Sequence, residues 1–265
     1  MVMGPTHSMS GAALGLAMAA VIPASVGGPS TAVGALTFAA VTAGAALLPD
    51  LDSPRATISR TFGFLSVGVA HLTENAALAV YRMTRSERDR PLRNGHRTAT
   101  HTVWFALVTG LLVGALVTLF GQVAALIVLF LMLGLAVRGL FPGWSSRSDS
   151  LTILFLSAGT AAAVGTWQPQ MADGWVLGTA VAVGIVAHLL GDALTKSGVP
   201  MFGGLVSING KRWWLVRPPG ILRIRSNGFA DKVLLVGFSA VNVWLVYAAL
   251  FDPAALGDPW PPVIG

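Results

Sequence analysis

Long apolar runs separated by short polar links fill most of this chain. A membrane-spanning helix needs about 20 mostly apolar residues, and stretches of that kind lie near 9–26, 31–48, 101–119, 122–140, 150–167, 175–194 and 232–251. The pattern predicts about seven spans. Gly27-Gly28-Pro29, Phe120-Gly121-Gln122 and Gln168 to Gly174 connect them on one side, and none of these links carries Lys or Arg. The stretch 56–83 is ambiguous, because the apolar run Thr61 to Tyr81 holds His71, Glu74 and Asn75 at its middle. Spanning would place those groups in hydrocarbon. An interfacial or re-entrant helix is therefore expected there, inside a boundary region at 50–100. Between 195 and 231 the runs Lys211 to Val216 and Ile221 to Arg225 flank Pro218-Pro219-Gly220. Pro-Pro-Gly is a turn signal, so a small cytoplasmic β-hairpin is expected, with Trp213 and Trp214 beside Arg212 and Arg217 at headgroup level. Residues 1–265 read as a single all-α, multi-pass transmembrane bundle.

Composition agrees with that reading. The chain is 54% hydrophobic and 11% charged, against roughly a quarter charged in a soluble domain. Small residues are abundant, which favours close helix packing. Cysteine is absent, which excludes disulfides, thiolate ligands and a thiol nucleophile and leaves nitrogen and oxygen for any metal. No basic residue precedes the first apolar run, so that run reads as a retained span rather than a signal peptide.

The net charge of +6 is explained by sidedness. All 17 Lys and Arg fall between Arg55 and Arg97, at Arg138 and Arg147, or between Lys196 and Lys232. In the seven-span topology these positions share one face, which the positive-inside rule makes cytoplasmic. The N-terminus is then cytoplasmic and the C-terminus outside, in an inner (plasma) membrane of bacterial type. Nucleic acid loses its support as a partner, and the lipid bilayer takes its place.

Polar groups that are costly near hydrocarbon cluster at the same face. They are His7, Asp50 and Asp52, His96 and His101, His188 and Asp192, and Asp231. His188 and Asp192 stand four apart, about 40° around a helix, and so project from one face with Thr195 a turn further on. A neutral His–Asp pair is the bland alternative. His96 and His101 are five apart, about 140° on a continuous helix. That spacing puts His96 in the preceding loop and His101 in the first turn, with Thr98 or Thr100 as the cap. Asp50 and Asp52 follow Pro49, two apart, which on a strand-like turn directs both carboxylates to one side. His7, next to Thr6 and Ser8, is weak evidence alone. Together these groups suffice for two divalent metals bridged by a carboxylate, about 3.5–4 Å apart. His-rich ligation favours zinc, manganese or iron over magnesium or calcium.

The motifs Thr6-His7-Ser8-Met9-Ser10-Gly11, Leu48-Pro49-Asp50-Leu51-Asp52, His96-Arg97-Thr98-Ala99-Thr100-His101-Thr102 and His188-Leu189-Leu190-Gly191-Asp192-Ala193-Leu194-Thr195 occur in that order. Ser197-Gly198-Val199-Pro200 continues the last of them. The set resembles the YdjM-like inner-membrane proteins, which are described as metal-dependent hydrolases. Arg225-Ser226-Asn227-Gly228-Phe229-Ala230-Asp231 looks like that family's Arg-x-x-Gly-x-x-acid element, where the acid is typically Glu, so Asp231 departs from the pattern. The resemblance runs from residue 4 to about 235 and implies a multi-pass metal-dependent hydrolase.

The expected reaction is hydrolysis of a phosphoester on a lipid or lipid-linked substrate by an activated water, with Asp52, Arg97 and His101 at the reacting centre. Arg97 would stabilise developing negative charge, and a salt bridge to Asp50 or Asp52 is its equal alternative. A metal-ion carrier or channel is the competing reading. Carriers, however, usually hold their site at the midplane between repeated halves, and no internal repeat is visible here. A third reading is an inactive scaffold that retains a structural metal.

Overall fold

The computed structural model describes residues 3–54, 56–145 and 150–260; Arg55 and Arg147, both used above to assign sidedness, lie outside them. The long helices are α1 (Gly4–Val21), α2 (Ala32–Ala45), α3 (Phe64–Thr84), α4 (Val103–Leu140), α5 (Ser150–Trp167), α6 (Gly174–Ala193) and α7 (Phe229–Phe251). Local chemistry sets several of their starts. Pro5 occupies the first turn of α1, where its missing N–H costs nothing. Thr31, Thr102 and Asp173 cap α2, α4 and α6 by accepting from the backbone N–H of Gly34, Phe105 and Trp175.

Among the described residues five segments, not seven, are long and apolar enough to cross a membrane: Ala32–Asp52, α4, α5, α6 and α7. Two departures account for the difference. α1 forms, but Thr6, His7, Ser8 and Ser10 in its first turns make it too polar. The expected spans 101–119 and 122–140 are joined in the single 38-residue element α4, whose Gly121 adopts φ 59° and ψ −140°. That backbone conformation is one glycine reaches easily. Gly114 lies against Gly174 at the start of α6, whereas Gly139 lies against Ser8 and Leu47, beside His7. The element therefore folds back at Gly121 into two arms, each about 27 Å long at 1.5 Å per residue.

Small residues set the spacing of the bundle. A Cβ on Gly44 would come within 1.9 Å of the Met132 carbonyl, and one on Gly178 within 2.5 Å of the Gly110 carbonyl. Backbones this close are the expected result where van der Waals packing holds apolar helices together. At the far end Ser30 and Thr31 bond to Gln170, and Trp260 donates to the Pro29 carbonyl.

α3 packs across the opposite end, on the turns Pro49–Asp52, Thr57–Arg60 and Ala99–His101. It buries Ser66, Ala70, Ala77 and Tyr81 and exposes Leu65, Val69, Leu72, Val80 and Met83. One face is thus packed, and the open one mixes these apolar side chains with His71, Asn75 and Arg82. The expected β-hairpin at 195–231 is absent. Among the described residues this loop pairs only through isolated bridges, Thr195 with Ile224, Val199 with Val216, and Ile208 with Lys211. The backbone N–H groups of Arg212 and Trp213 donate to the Asp89 carboxylate instead of to a partner strand, and Pro218 and Pro219 have none to offer.

Candidate metal centre

The end covered by α3 gathers side chains from four places. His7 comes from the first turn of α1, and His188 and Asp192 from successive turns near the end of α6. Asp50 and Asp52 lie on the 3-10 turn Pro49–Asp52 that follows α2, and His101 on the turn Ala99–His101 before α4. His7, Asp52, His101, His188 and Asp192 are fully buried and Asp50 nearly so, while His96 is partly exposed.

The donor atoms face one another. His101 Nε2 lies 3.3 Å from His188 Nε2. Asp50 Oδ1 is 3.8 Å from each of those nitrogens, and Asp192 Oδ2 is 3.7 Å from the first and 3.8 Å from the second. A tetrahedral ion with bonds of 2.0–2.2 Å has donor separations of about 3.3–3.6 Å, so five edges of a tetrahedron are close to the required length. Three overlapping sets have metal-binding spacing: His7, Asp50 and His188; Asp50, His96 and His101; and His101, His188 and Asp192. Asp50 belongs to two of them. His7 Nε2 stands 3.4 Å from Asp192 Oδ1, while His7 Nδ1 and Asp50 Oδ1 are buried without a hydrogen-bond partner. Such groups are costly unless something satisfies them, and the chemistry of this donor set fits a divalent cation.

Contacts behind the donors orient the rings. His188 Nδ1 lies 2.8 Å from the Ala46 carbonyl, to which it donates, so the Nε2 lone pair is left toward the centre. The His7 ring stacks on His188 with centroids 3.9 Å apart. His101 Nδ1 faces Thr100 Oγ1 at 3.0 Å and Asp52 Oδ2 at 3.5 Å, which again turns Nε2 inward.

Asp52 stands behind the donors rather than among them. One of its oxygens faces His96 Nδ1, and the other accepts from the Thr100 hydroxyl and the Arg97 backbone N–H. The strand-like turn expected at 50–52 is a 3-10 turn. At three residues per turn, positions two apart diverge by about 120°, so Asp50 looks into the centre and Asp52 toward the 96–101 loop. Burial opposes protonation of His96, but the hydrogen bond to Asp52 and the negative charge of Asp52 and Asp50 prevail and raise its pKa.

Arg97 holds a positive φ of 60°, a strained conformation for a residue other than glycine, of order 1 kcal/mol or more. The bend lets its backbone N–H reach Asp52 while its guanidinium pairs with Asp192 and donates to the Gly198 carbonyl. The partner is thus Asp192, not Asp50 or Asp52. Asp231 does not join the centre. Its carboxylate accepts from the Thr6 hydroxyl at 2.8 Å, Met3 N at 3.1 Å and Asn227 N at 2.8 Å, so it ties the start of α1 to the start of α7. Thr98 and Thr100 do not cap α4, a role Thr102 takes. Sequence reasoning missed Thr100 as a donor to Asp52 and Thr6 as the partner of Asp231; their only signal was proximity to His101 and His7. His71 on α3 is exposed and outside the cluster.

The family model described as YdjM inner membrane protein matches residues 1–141. The chain belongs to the YdjM family. The YdjM match includes His7, Asp50, Asp52, His96, Arg97 and His101, and ends before α6, which supplies His188 and Asp192. With five segments of spanning length and apolarity among its described residues, this YdjM-family chain is a membrane protein. No curated protein and no solved structure matches this chain.

Proposed function

We propose that this chain is a membrane-embedded metal-dependent hydrolase that acts at the cytoplasmic face on a phosphoester of a lipid or lipid-linked substrate. The observation that carries the reading is the buried cluster itself: donor sets that share Asp50, with His7 and Asp50 atoms left unpartnered. The sharing favours two ions, and the nitrogen-rich set favours zinc or manganese. His7, Asp50, His96, His101, His188 and Asp192 would hold them. When bound, such ions supply Lewis acidity and a water acidic enough to act as a nucleophile near neutral pH.

The chain's own groups do the rest. Asp52 and the Ala46 carbonyl fix the imidazoles, and α3 over the turns restricts water. Arg97 is held in place by Asp192 and the Gly198 carbonyl, where a cation would neutralise charge on a substrate phosphate. The basic residues support a cytoplasmic N-terminus and an outer C-terminus. A carrier reading draws less support, because the donors gather at one end of the helices and not at their middle.

The test is to purify the protein, quantify bound metal and screen phosphate release from phospholipids, prenyl phosphates and soluble phosphoesters. Metal-dependent release that His101→Ala abolishes is the expected result. Intact, metal-loaded protein inert toward all three classes refutes the phosphoesterase reading.

A further inference from the structure

A cavity of about 440 Å3 opens beside the metal centre, within the range of small-molecule sites. Arg88, Arg90, Arg97, Lys211 and Arg217 line it, with Asp89 as the one carboxylate in its wall. Asp89 is already satisfied by the amides of Ser86, Arg212 and Trp213 and by the Ser86 hydroxyl. Arg97 is drawn toward Asp192. Arg88, Arg90, Lys211 and Arg217 form no ion pair among the described residues. Against four unpaired cations the wall sets the single negative charge of Asp89, so the cavity holds an excess of positive charge.

Trp213 is shared between this cavity and a second groove of about 280 Å3. That groove runs between the end of α3 and the start of α4, over Val80, Trp104, Phe105, Val108 and Leu205. Trp104 and Val108 are exposed on the first arm of α4, an apolar surface on a helix of spanning length that suits contact with lipid chains. A cationic recess and an apolar channel thus meet at one indole, and Arg97 joins the recess to Asp192.

We propose that these two spaces form one binding site for an anionic lipid: its phosphate head sits among Arg88, Arg90, Lys211 and Arg217, and its chain passes Trp213 into the groove along α4. Charge complementarity selects the head, and the groove selects a molecule arriving sideways from the bilayer. The site deepens the hydrolase reading by naming where its substrate docks, and rests on that reading only for the consequence in turnover.

Binding of dodecyl phosphate to the purified full chain in neutral detergent tests it, with inorganic phosphate and dodecanol as comparison probes. Dodecyl phosphate is expected to bind at least about ten-fold more tightly than either. The double variant Lys211→Gln/Arg217→Gln should weaken it by about ten-fold or more, and Val108→Trp, which fills the groove, should weaken it while leaving inorganic phosphate unaffected. Metal content and elution volume equal to wild type establish that each variant is folded, and Arg88→Gln/Arg90→Gln serves if the first pair is not. Wild-type affinity in folded charge variants overturns the proposal. So does inorganic phosphate binding as tightly as dodecyl phosphate, which would make the recess a free-anion site. Binding is scored without turnover, so absent phosphate release alongside tight, Lys211- and Arg217-dependent binding counts against the hydrolase reading alone.

Discussion

His101 Nε2 and His188 Nε2 face each other at 3.3 Å across the gap between the start of α4 and the end of α6. Each ring's Nδ1 is occupied by a contact on its outer side, so two lone pairs point at one place. A cation between them would remove the repulsion and bond both. Chelation is therefore expected to destabilise the bundle. A ligand present at 100 times its dissociation constant adds about 2.7 kcal/mol, and thermal unfolding in detergent with and without a chelator measures the loss. His188→Ala should be insensitive to the chelator.

Asp50 and Asp52 should separate on mutation. Asp50→Asn removes a donor shared by two sets and is expected to abolish metal retention. Asp52→Asn keeps the donors and loosens their support, for which about 10–100-fold weaker metal affinity is expected. Competition with a chromogenic chelator measures both. Equal loss from the two variants would place Asp52 among the ligands.

Asp231→Ala deprives the Thr6 hydroxyl and the Met3 and Asn227 amides of their acceptor. A loss of about 2–3 kcal/mol in stability is expected, with metal content unchanged. Loss of metal in a folded Asp231→Ala protein would return Asp231 to the ligand set.

Asp89 gives a pH prediction. Burial opposes its ionisation, but four donors from Ser86, Trp213 and Arg212 hold its pKa below the ordinary carboxylate value. The link between the 86–90 loop and the 211–213 segment is then fully present above about pH 4 and lost as pH falls through the depressed value. Hydrogen exchange at the Arg212 and Trp213 amides, corrected for intrinsic rate, should stay slow through mild acid and accelerate below it. Asp89→Asn should show fast exchange at neutral pH.

Much of the centre was legible in the sequence because imidazoles and carboxylates at the ends of apolar runs have few other uses. His7, Asp50, His96, His101, His188 and Asp192 all converge for that reason. The different duties of Asp50 and Asp52 were not legible, since they depend on the turn being 3-10 and on where the 96–101 loop passes. The partner of Arg97 depends on a positive φ that no neighbouring residue announces. The break at Gly121 was legible as a connector, and the structure keeps it as a reversal within one continuous element; the count of spanning segments failed at α1, whose first turns carry Thr6, His7, Ser8 and Ser10. The hairpin failed because Asp89, distant in sequence, takes the amides a strand would have used.

The most direct test of the account is the metal content of the full chain purified without added metal, measured by elemental analysis beside His101→Ala and His188→Ala. The account predicts zinc or manganese at one to two ions per chain, about two if both sets that share Asp50 fill, and a large reduction in both folded variants. Metal-free wild type that gains no thermal stability from any divalent ion would contradict it.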